Sequence, residues 1–426
     1  MPSLNVTREL YAGLTQFSER SVVPDLAESW DVEQGGLVWT FHLRKNLRWS
    51  DDRKLTAGDL RRSWLRALAP RTAAPLAGPD LGIVLGARSF HATGRGDVGI
   101  EAPDDRTLRV TLQHPIPWLD QLVAYPIASA YRPNAFSGPF RLKSRGDPLA
   151  LDRNFNYWNV RAVKPSRLVM TTETKGADAI LPRGLAPPGL PWVQTAKPPS
   201  GPGWTRLPTL SVQLLWFVTN RPPVANALDR AAIGHAVGDA SLNDLVPLAM
   251  PGHDVVTSKA LVARGSLRRE PLTLAYTAQD ARGRATAQAI AMKLAVRGVT
   301  MQVSEVPTLH TLVGAPAESS DLVLLGWSSK ILDEYNILDL FPCQSAFNVA
   351  HWCDHSYDAL MRRAVRTLDP PKRYAIERQL LGEKLRPGIP AVPLAQPPEY
   401  VWLRPGVRGF SWSPVGLYAL WGMTRS

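Results

Sequence analysis

Metal-binding chemistry is the first possibility that the residues raise, and it is concentrated in the segment PCQSAFNVAHWCDHS. His351, Cys353 and His355 alternate along this segment, so they would share one face of an extended chain. Imidazole and thiolate groups bind zinc or nickel well, but a fourth ligand is not evident. Cys343 and Cys353 could equally form a disulfide or remain free thiols, and these two alternatives stay open. We therefore expect no metal site.

Motifs for nucleotide binding and catalysis are weak or missing. The segment GRGDVG places Gly94, Gly96 and Gly99 at the spacing of a dinucleotide-binding loop. Such a loop must follow a strand, whereas this one follows a predicted helix, so we expect a turn. The sequence contains no G-x-S-x-G, P-loop or H-E-x-x-H motif. We predict that the protein is not an enzyme and uses no cofactor.

Basic and aromatic residues are interleaved in WTFHLRKNLRWSDDRKLTAGDLRRSW, a composition that also occurs on nucleic-acid surfaces. However, Trp39, Phe41 and Leu43 follow the period of two of a half-buried strand. Thr56 and Asp59 then have the spacing of a capping box at the start of a helix. The net charge of +12, from 49 Lys and Arg against 37 Asp and Glu, is spread along the chain. We therefore expect structural roles for these residues and predict no nucleic-acid partner.

Strands and helices alternate along the chain, which favours the α/β fold class with two or more lobes. PLTLAYT and VTMQVSEV are predicted strands joined by the helix RATAQAIAMKLAVRG, a β-α-β unit whose strands should be parallel. DLVLLGW is predicted to be a further buried strand. Eight prolines and four glycines between Pro182 and Pro208 predict an irregular segment, either a surface loop or a connection between lobes. No apolar run reaches the ~20 residues that a membrane-spanning helix needs.

Several segments, in their order and spacing, resemble the extracellular solute-binding proteins of the oligopeptide, dipeptide and nickel importer family, and most closely the oligopeptide-binding proteins. The resemblance covers nearly the whole chain. It is carried by LNVTRELYAGL, VPDLAESWDV, WTFHLRKNLRWSDDRKLTAGDLRRSWLRAL, SGPFRL, NYW, DLVLLGW and YDALMRRAV.

The resemblance implies a bilobal periplasmic-binding-protein-like fold of the larger type, with a domain inserted in the first lobe. By analogy, the first lobe comprises residues 1–30, 134–207 and 408–426. The inserted domain takes residues 31–133, and the second lobe takes residues 208–407.

The function that the resemblance implies is binding for transport. Two lobes close on a hinge around a peptide or a similar small polar solute, and the closed protein docks on a membrane permease driven by an ATPase. The protein is expected to be a monomer, either periplasmic or anchored outside the cell membrane. The opening residues MPSLNVTRELYAGL lack the pattern of a signal peptide, so a cytoplasmic chain and a mature or truncated exported chain both remain open.

The resemblance also implies the ligand site. Peptide binders of this family hold the ligand backbone like an added strand, and an acidic residue just after the GW strand pairs with the peptide's amino terminus. In LGWSSKILDEY, Trp327 and Ser328 match the pocket wall, but Lys330 stands at the position of that carboxylate. A cation there favours a carboxylate or phosphate ligand. A shift in register would instead give the amine-binding role to Asp333 or Glu334.

Three alternatives remain beside the leading reading. In the first, Lys330 points to solvent and contacts no ligand; Asn5, in the opening motif, is still expected to contact the ligand. The chain could be a diverged member that binds an anionic ligand. It could also be the ligand-sensing module of a regulator with the same fold, although no helix-turn-helix segment precedes the domain.

Overall fold

The computed structural model of the 426-residue chain describes residues 4–72, 77–173, 175–181, 191–192, 201–238, 245–251, 267, 270–280, 282–308 and 319–426. Its helices are α1 (Leu4–Leu10), α2 (Ala57–Leu68), α3 (Ala77–Leu81), α4 (Ala87–Thr93), α5 (Leu119–Leu122), α6 (Ala227–Val237), α7 (Gly283–Ala295), α8 (Tyr335–Leu338), α9 (His355–Val365), α10 (Pro370–Gln379) and α11 (Arg386–Gly388).

The strands alternate with these helices, as the sequence predicts. They are β1 (Thr15–Phe17), β2 (Val22–Pro24), β3 (Ala27–Glu33), β4 (Val38–Leu43), β5 (Ile100–Glu101), β6 (Thr107–Thr111), β7 (Phe140–Ser144), β8 (Leu149–Arg153), β9 (Arg167–Met170), β10 (Ala179–Ile180), β11 (Pro191–Trp192), β12 (Trp204–Leu207), β13 (Ser211–Phe217), β14 (Leu272–Thr277), β15 (Met301–Val306), β16 (Leu322–Ser328), β17 (Ala391–Ala395), β18 (Glu399–Leu403), β19 (Val407–Arg408), β20 (Ser411–Ser413), β21 (Leu417–Ala419) and β22 (Thr424–Arg425).

The interleaved basic and aromatic stretch folds into β4 and α2. Thr56 and Asp59 form the predicted capping box, in which the Thr56 backbone N–H donates to Asp59 Oδ2 at 2.9 Å. The buried Trp64 donates from Nε1 to Ala128 O at 2.7 Å, while Arg61 and Arg62 lie on the exposed face of α2. The structural interpretation of this stretch is therefore confirmed. Its sheet, in the order β3-β4-β6-β5, is antiparallel and begins at Ala27, so the expected domain boundary at residue 31 falls within β3.

A larger sheet lies in the second half of the chain, in the order β15-β14-β16-β13-β17. Strands β14 and β15 are parallel, as predicted for the β-α-β unit through α7. Every residue of β13 and β16 is buried, because one face of the sheet packs with α6 and α7 and the other with the segment from α8 to α10. Full burial on both faces explains why DLVLLGW is a continuous apolar run without alternation.

A third sheet, β10-β18-β12, joins chain segments from both halves of the sequence. Within the proline-rich segment, β11 pairs with β16 and β12 pairs with β18, so the prediction of a wholly irregular segment is wrong at these points. The rest of that segment, residues 182–190 and 193–200, lies outside the described residues. None of the helices in the described part of the chain combines the length and apolar character needed to span a bilayer.

Gly94 and Gly96 both have positive φ and lie in the turn after α4, as expected for GRGDVG. Gly94 ends α4 in the left-handed conformation, with φ of 70°, a backbone geometry that glycine adopts without a steric penalty. The segment is therefore a helix-ending turn, in agreement with the reading that gave it no nucleotide-binding role.

Candidate functional site

The C-terminal end of β16 carries two side chains that point to the same side of the large sheet. Trp327 and Ser329 are two residues apart in extended chain, since the Ser329 N–H continues the ladder by donating to Leu210 O at 2.9 Å. On this side, Trp327 belongs to an apolar cluster with Phe17 and Tyr125 from the first half of the chain. This side of the large sheet, including the end of β16, therefore packs against residues from the first half of the chain.

Both side chains carry a buried donor. Trp327 is 5% exposed and Ser329 is 0% exposed, and neither Trp327 Nε1 nor Ser329 Oγ has a hydrogen-bond partner among the described residues. The Trp327 ring packs edge-on against Phe347, with ring centroids 5.1 Å apart. Buried polar groups normally have a partner, so this pair marks a place where a ligand oxygen or a water would be stabilised.

Ser328, predicted in the pocket wall, faces the opposite side of the sheet. Its Oγ lies 3.1 Å from Ser211 Oγ on β13, and both residues are fully buried. The hydroxyl group of Ser328 therefore joins two strands. Ser329, which the sequence reading passed over, takes the position beside Trp327, because adjacent residues of a strand point to opposite faces.

The ammonium group of Lys330, predicted to face the ligand, forms an ion pair with a carboxylate of the protein. Its Nζ lies 3.0 Å from Asp80 Oδ1 of α3, and the two side chains are 22% and 10% exposed. Tyr125, just after α5, donates from its hydroxyl group to Lys330 O at 2.6 Å. The ammonium group thus pairs with a carboxylate of the protein in this arrangement, and it does not point to open solvent.

Asp333 and Glu334 are both buried, at 0% and 2% exposure. Asp333 Oδ2 accepts hydrogen bonds from Arg373 Nη2 at 2.6 Å and from Arg373 Nε at 2.9 Å. The pKa of Glu377 is raised well above that of an exposed glutamate, mainly by burial and secondly by the nearby negative charge of Asp333. In this conformation, Asp333 neutralises Arg373 inside the second half of the chain, and does not present its carboxylate at the surface.

Asn5 is bonded to the C-terminal part of the chain. Its Nδ2 donates to Gly416 O at 3.3 Å, and its Oδ1 accepts from the Tyr418 N–H at 2.9 Å. These two bonds fasten α1 to β21 and to the turn that precedes it. Asn5 therefore has structural partners in the described chain.

A cavity of about 690 Å³ lies between β12, β18 and β20, and its walls include none of the six residues predicted to bind ligand. Its volume falls in the range of small-molecule sites. Most of the lining is apolar, with Glu19 and Arg20 as its charged members. Sequence reasoning missed it because the walls come from distant segments without a local pattern. Its lining includes Arg20, Leu207, Leu248, Val401, Phe410 and Trp412.

Cys343 and Cys353 form a disulfide, which decides between the two alternatives left open by the sequence. The sulfur atoms and a ring nitrogen of His355 lie within 4.8 Å of one another. However, the sulfur atoms of a disulfide are not thiolates, the form in which cysteine binds zinc. The bond closes a loop that carries Phe347 against Trp327.

Comparison with known proteins places this geometry in a class. Residues 21–348 match the model of the bacterial extracellular solute-binding proteins, family 5. The chain is 27% identical to the probable deoxycholate-binding periplasmic protein YgiS of Escherichia coli, over 95% of this chain and 86% of that protein. It is 25% identical to a dipeptide-binding protein of Pseudomonas aeruginosa, over 98% of this chain and 89% of that protein.

Solved structures give the fold. The unliganded open form of the periplasmic murein tripeptide-binding protein MppA superposes with a TM-score of 0.80 at 19% identity, covering 98% of this chain and 90% of that one. The oligopeptide-binding protein OppA of Haemophilus influenzae, in complex with the peptide RPPGFSPFR, gives 0.66 at 18% identity, with 100% and 94% covered. The predicted bilobal periplasmic-binding fold is therefore confirmed.

The two-lobed α/β fold and the family match together define a solute-binding class of protein. The chain belongs to the bacterial extracellular solute-binding proteins, family 5. Its predicted function, as the solute-binding component of an ABC importer of the peptide type, is confirmed. Members of this family bind substrates and are not enzymes.

Proposed function

We propose that the solute binds between the lobes at the end of β16, where Trp327 and Ser329 donate hydrogen bonds to it. The observation that carries this proposal is the pair of buried donors, Trp327 Nε1 and Ser329 Oγ, for which the described residues supply no acceptor. Donors left inside a folded protein destabilise it unless something accepts from them. A solute with a carbonyl or carboxylate oxygen would meet this need.

The chemistry of the donors fits the ligands that the relatives' names suggest. An indole N–H can only donate, and a serine hydroxyl group can donate as well as accept. Peptide carbonyl groups and the carboxylate of a bile acid such as deoxycholate both offer acceptor oxygens. The ligand class that we propose is therefore a small solute with an exposed acceptor oxygen, with short peptides as the leading case. The anionic solute is the second case, because Lys330 would be available to it if the ligand displaced Asp80.

The remaining parts of the proposal follow from the family. The loaded protein passes its solute to a membrane permease driven by an ATPase. It acts as a monomer, either in the periplasm or anchored outside the cell membrane. The sequence predicts a first lobe of residues 1–30, 134–207 and 408–426, an inserted domain of residues 31–133 and a second lobe of residues 208–407. Because β3 begins at Ala27, we place the first of these boundaries between residues 26 and 27 instead. Contacts of α1 with β21 and the turn before it support the assignment of both chain ends to one lobe.

Calorimetric titration with trialanine and with deoxycholate tests the proposal. We expect one of these solutes to bind, and we expect Ser329→Ala and Trp327→Phe each to weaken binding about tenfold, the effect of one lost hydrogen bond. Ser328→Ala is the matched control, because it removes a neighbouring hydroxyl group on the opposite face. It should retain the wild-type affinity, whatever it costs in stability.

Unchanged affinity in both Ser329→Ala and Trp327→Phe would contradict the assignment. If Arg20→Ala weakened binding instead, the solute would occupy the cavity between β12, β18 and β20. If neither solute bound the wild-type chain, the proposed ligand class would be wrong.

A further inference from the structure

The strand edge beside Trp327 is occupied by a segment of the chain itself. On one side, β16 pairs with β13 along its whole length. On the other side, β14 pairs with β16 only at Leu322 and Val323, and β11 pairs with it at Gly326 and Trp327. Among the described residues, β11 is thus the neighbour that covers this end of the strand.

The backbone chemistry of this short pairing is fixed by a proline. Pro191 lies opposite Trp327, and Trp192 lies opposite Gly326, in antiparallel register. Because Pro191 has no N–H, the pair that exchanges both backbone hydrogen bonds is Trp192 with Gly326. The Trp192 N–H is therefore the single backbone donor that β11 offers to β16.

An extended peptide would bind an exposed strand edge through the same backbone groups. Addition of a ligand strand to a sheet uses the unpaired N–H and C=O groups of the edge. At Gly326 these groups already pair with Trp192, and one set of groups cannot serve two strands. An extended ligand at this edge and β11 therefore exclude each other.

We propose that β11 is an internal competitor for the edge of β16, and that it lowers the affinity of the protein for solutes held through an extended main chain. This inference rests on the proposed binding site at the end of β16. Compact solutes that use only the side-chain donors of Trp327 and Ser329 do not need the edge. Strand β11 would thus determine specificity, because it lowers the affinity for extended peptides but not for compact solutes.

A pair of variants separates the backbone effect from the side chain. Trp192→Pro removes the N–H that donates to Gly326, and proline remains compatible with an extended chain at a sheet edge. Trp192→Ala removes the same ring but keeps the N–H. We expect Trp192→Pro to bind trialanine about tenfold more tightly than Trp192→Ala. The reason is that β11 in the proline variant has lost one hydrogen bond to β16 and competes less well for the edge. Both variants should bind deoxycholate equally.

Hydrogen exchange of the wild-type chain gives a second readout that does not depend on a variant. If trialanine displaces β11, the Trp192 amide should exchange faster in the complex, while the Gly326 amide stays protected by its new partner. Unchanged or slower exchange at Trp192 in the trialanine complex would overturn the proposal. So would equal or weaker trialanine binding by Trp192→Pro relative to Trp192→Ala, or no trialanine binding by either.

The two proposals fail in different ways. If deoxycholate binds and depends on Ser329 while trialanine binds neither Trp192 variant, the binding site stands and the competitor role of β11 falls. If neither solute binds the wild-type chain or either variant, both proposals fall together.

Discussion

Glu9 is a buried carboxylate in α1 that makes one hydrogen bond within the described part of the chain. Its Oε1 accepts from the Leu420 N–H at 2.8 Å, and the residue is 0% exposed. Burial raises the pKa of Glu9 to about 7, although the bond from Leu420 and the charge of Arg8 act in the opposite direction. Folding therefore disfavours the charged form of this side chain relative to the unfolded chain.

The stability of the protein should fall as Glu9 becomes charged. The folded pKa of about 7 lies above the ordinary value of 4.5. The contribution of Glu9 is thus fully present below pH 4.5 and is lost as the pH rises to 7. Glu9→Gln keeps the acceptor for Leu420 and removes the charge. Between pH 4.5 and 7, the free energy of unfolding of this variant should fall by about 3 kcal/mol less than that of the wild type.

Urea unfolding of both proteins across this pH range measures the difference. Burial also raises the pKa of Asp25, Asp120 and Asp339 to about 6, so the comparison of variant with wild type isolates Glu9. Glu19→Gln, at an exposed position, is the control and should follow the wild type. Parallel curves for Glu9→Gln and the wild type would show that Glu9 does not titrate in this range.

The roles of single residues were predictable only where their partners are close in sequence. The capping box of Thr56 with Asp59 could be predicted because the two residues are three positions apart. Lys330 pairs with Asp80, 250 residues away, and Asp333 pairs with Arg373, 40 residues away. Local patterns do not contain such partners, so the sequence could suggest a ligand-binding role for these charged residues but could not give their contacts.

At the scale of elements, the loop closed by the disulfide supports one side of the proposed site. The bond between Cys343 and Cys353 encloses Phe347, which packs against Trp327. Phe347 is itself 43% exposed, so the loop holds a partly exposed ring over a buried one. Closing the loop restricts the unfolded chain more than the folded one.

Removal of the disulfide should therefore lower stability. For a loop of this size, replacing both Cys343 and Cys353 by Ser should reduce the free energy of unfolding by about 2 to 3 kcal/mol. Urea unfolding at constant pH measures the change. Dithiothreitol should lower the stability of the wild type to that of the double variant, and it should leave the double variant unaffected. An equal stability of oxidised wild type and double variant would contradict this expectation.

The regular elements of the fold were predictable to a large extent, whereas the irregular ones were not. The pattern of PLTLAYT, RATAQAIAMKLAVRG and VTMQVSEV gave β14, α7 and β15 with the correct parallel pairing, because each element has its own periodicity. Strand β11 has only two residues, one of them a proline, and it exists because β16 offers it an edge. Periodicity cannot reveal such a strand.

At the scale of the whole molecule, residues after β16 connect the two halves of the chain. Besides the pair of Lys330 with Asp80, the Leu332 N–H donates to Gln121 Oε1 at 2.6 Å. If the lobes close on a solute as proposed, these contacts are the ones that a change in lobe orientation would strain. The contacts of Lys330 and Leu332 therefore stabilise the lobe arrangement seen in this structure.

The pair of Lys330 with Asp80 should contribute measurably to stability. Lys330→Met leaves the Asp80 carboxylate without this cation, and we expect a loss of about 1 to 3 kcal/mol in the free energy of unfolding. Lys54 and Asp105 form a matched exposed pair, with side chains 64% and 61% exposed. Lys54→Met should cost no more than about 1 kcal/mol. Urea unfolding of the two variants provides the comparison, and equal losses would show that Lys330 is not more strongly coupled than a surface lysine.

The contacts of α1 have a consequence for the order in which the protein can be assembled. Asn5 bonds to Gly416 and Tyr418, and Glu9 bonds to Leu420. During synthesis or export from the N-terminus, α1 emerges some 410 residues before its partners. The large sheet from β13 to β17 can form before that point. The part of the fold that contains α1 can thus be completed only after the C-terminal strands have been made, although α1 itself is made early.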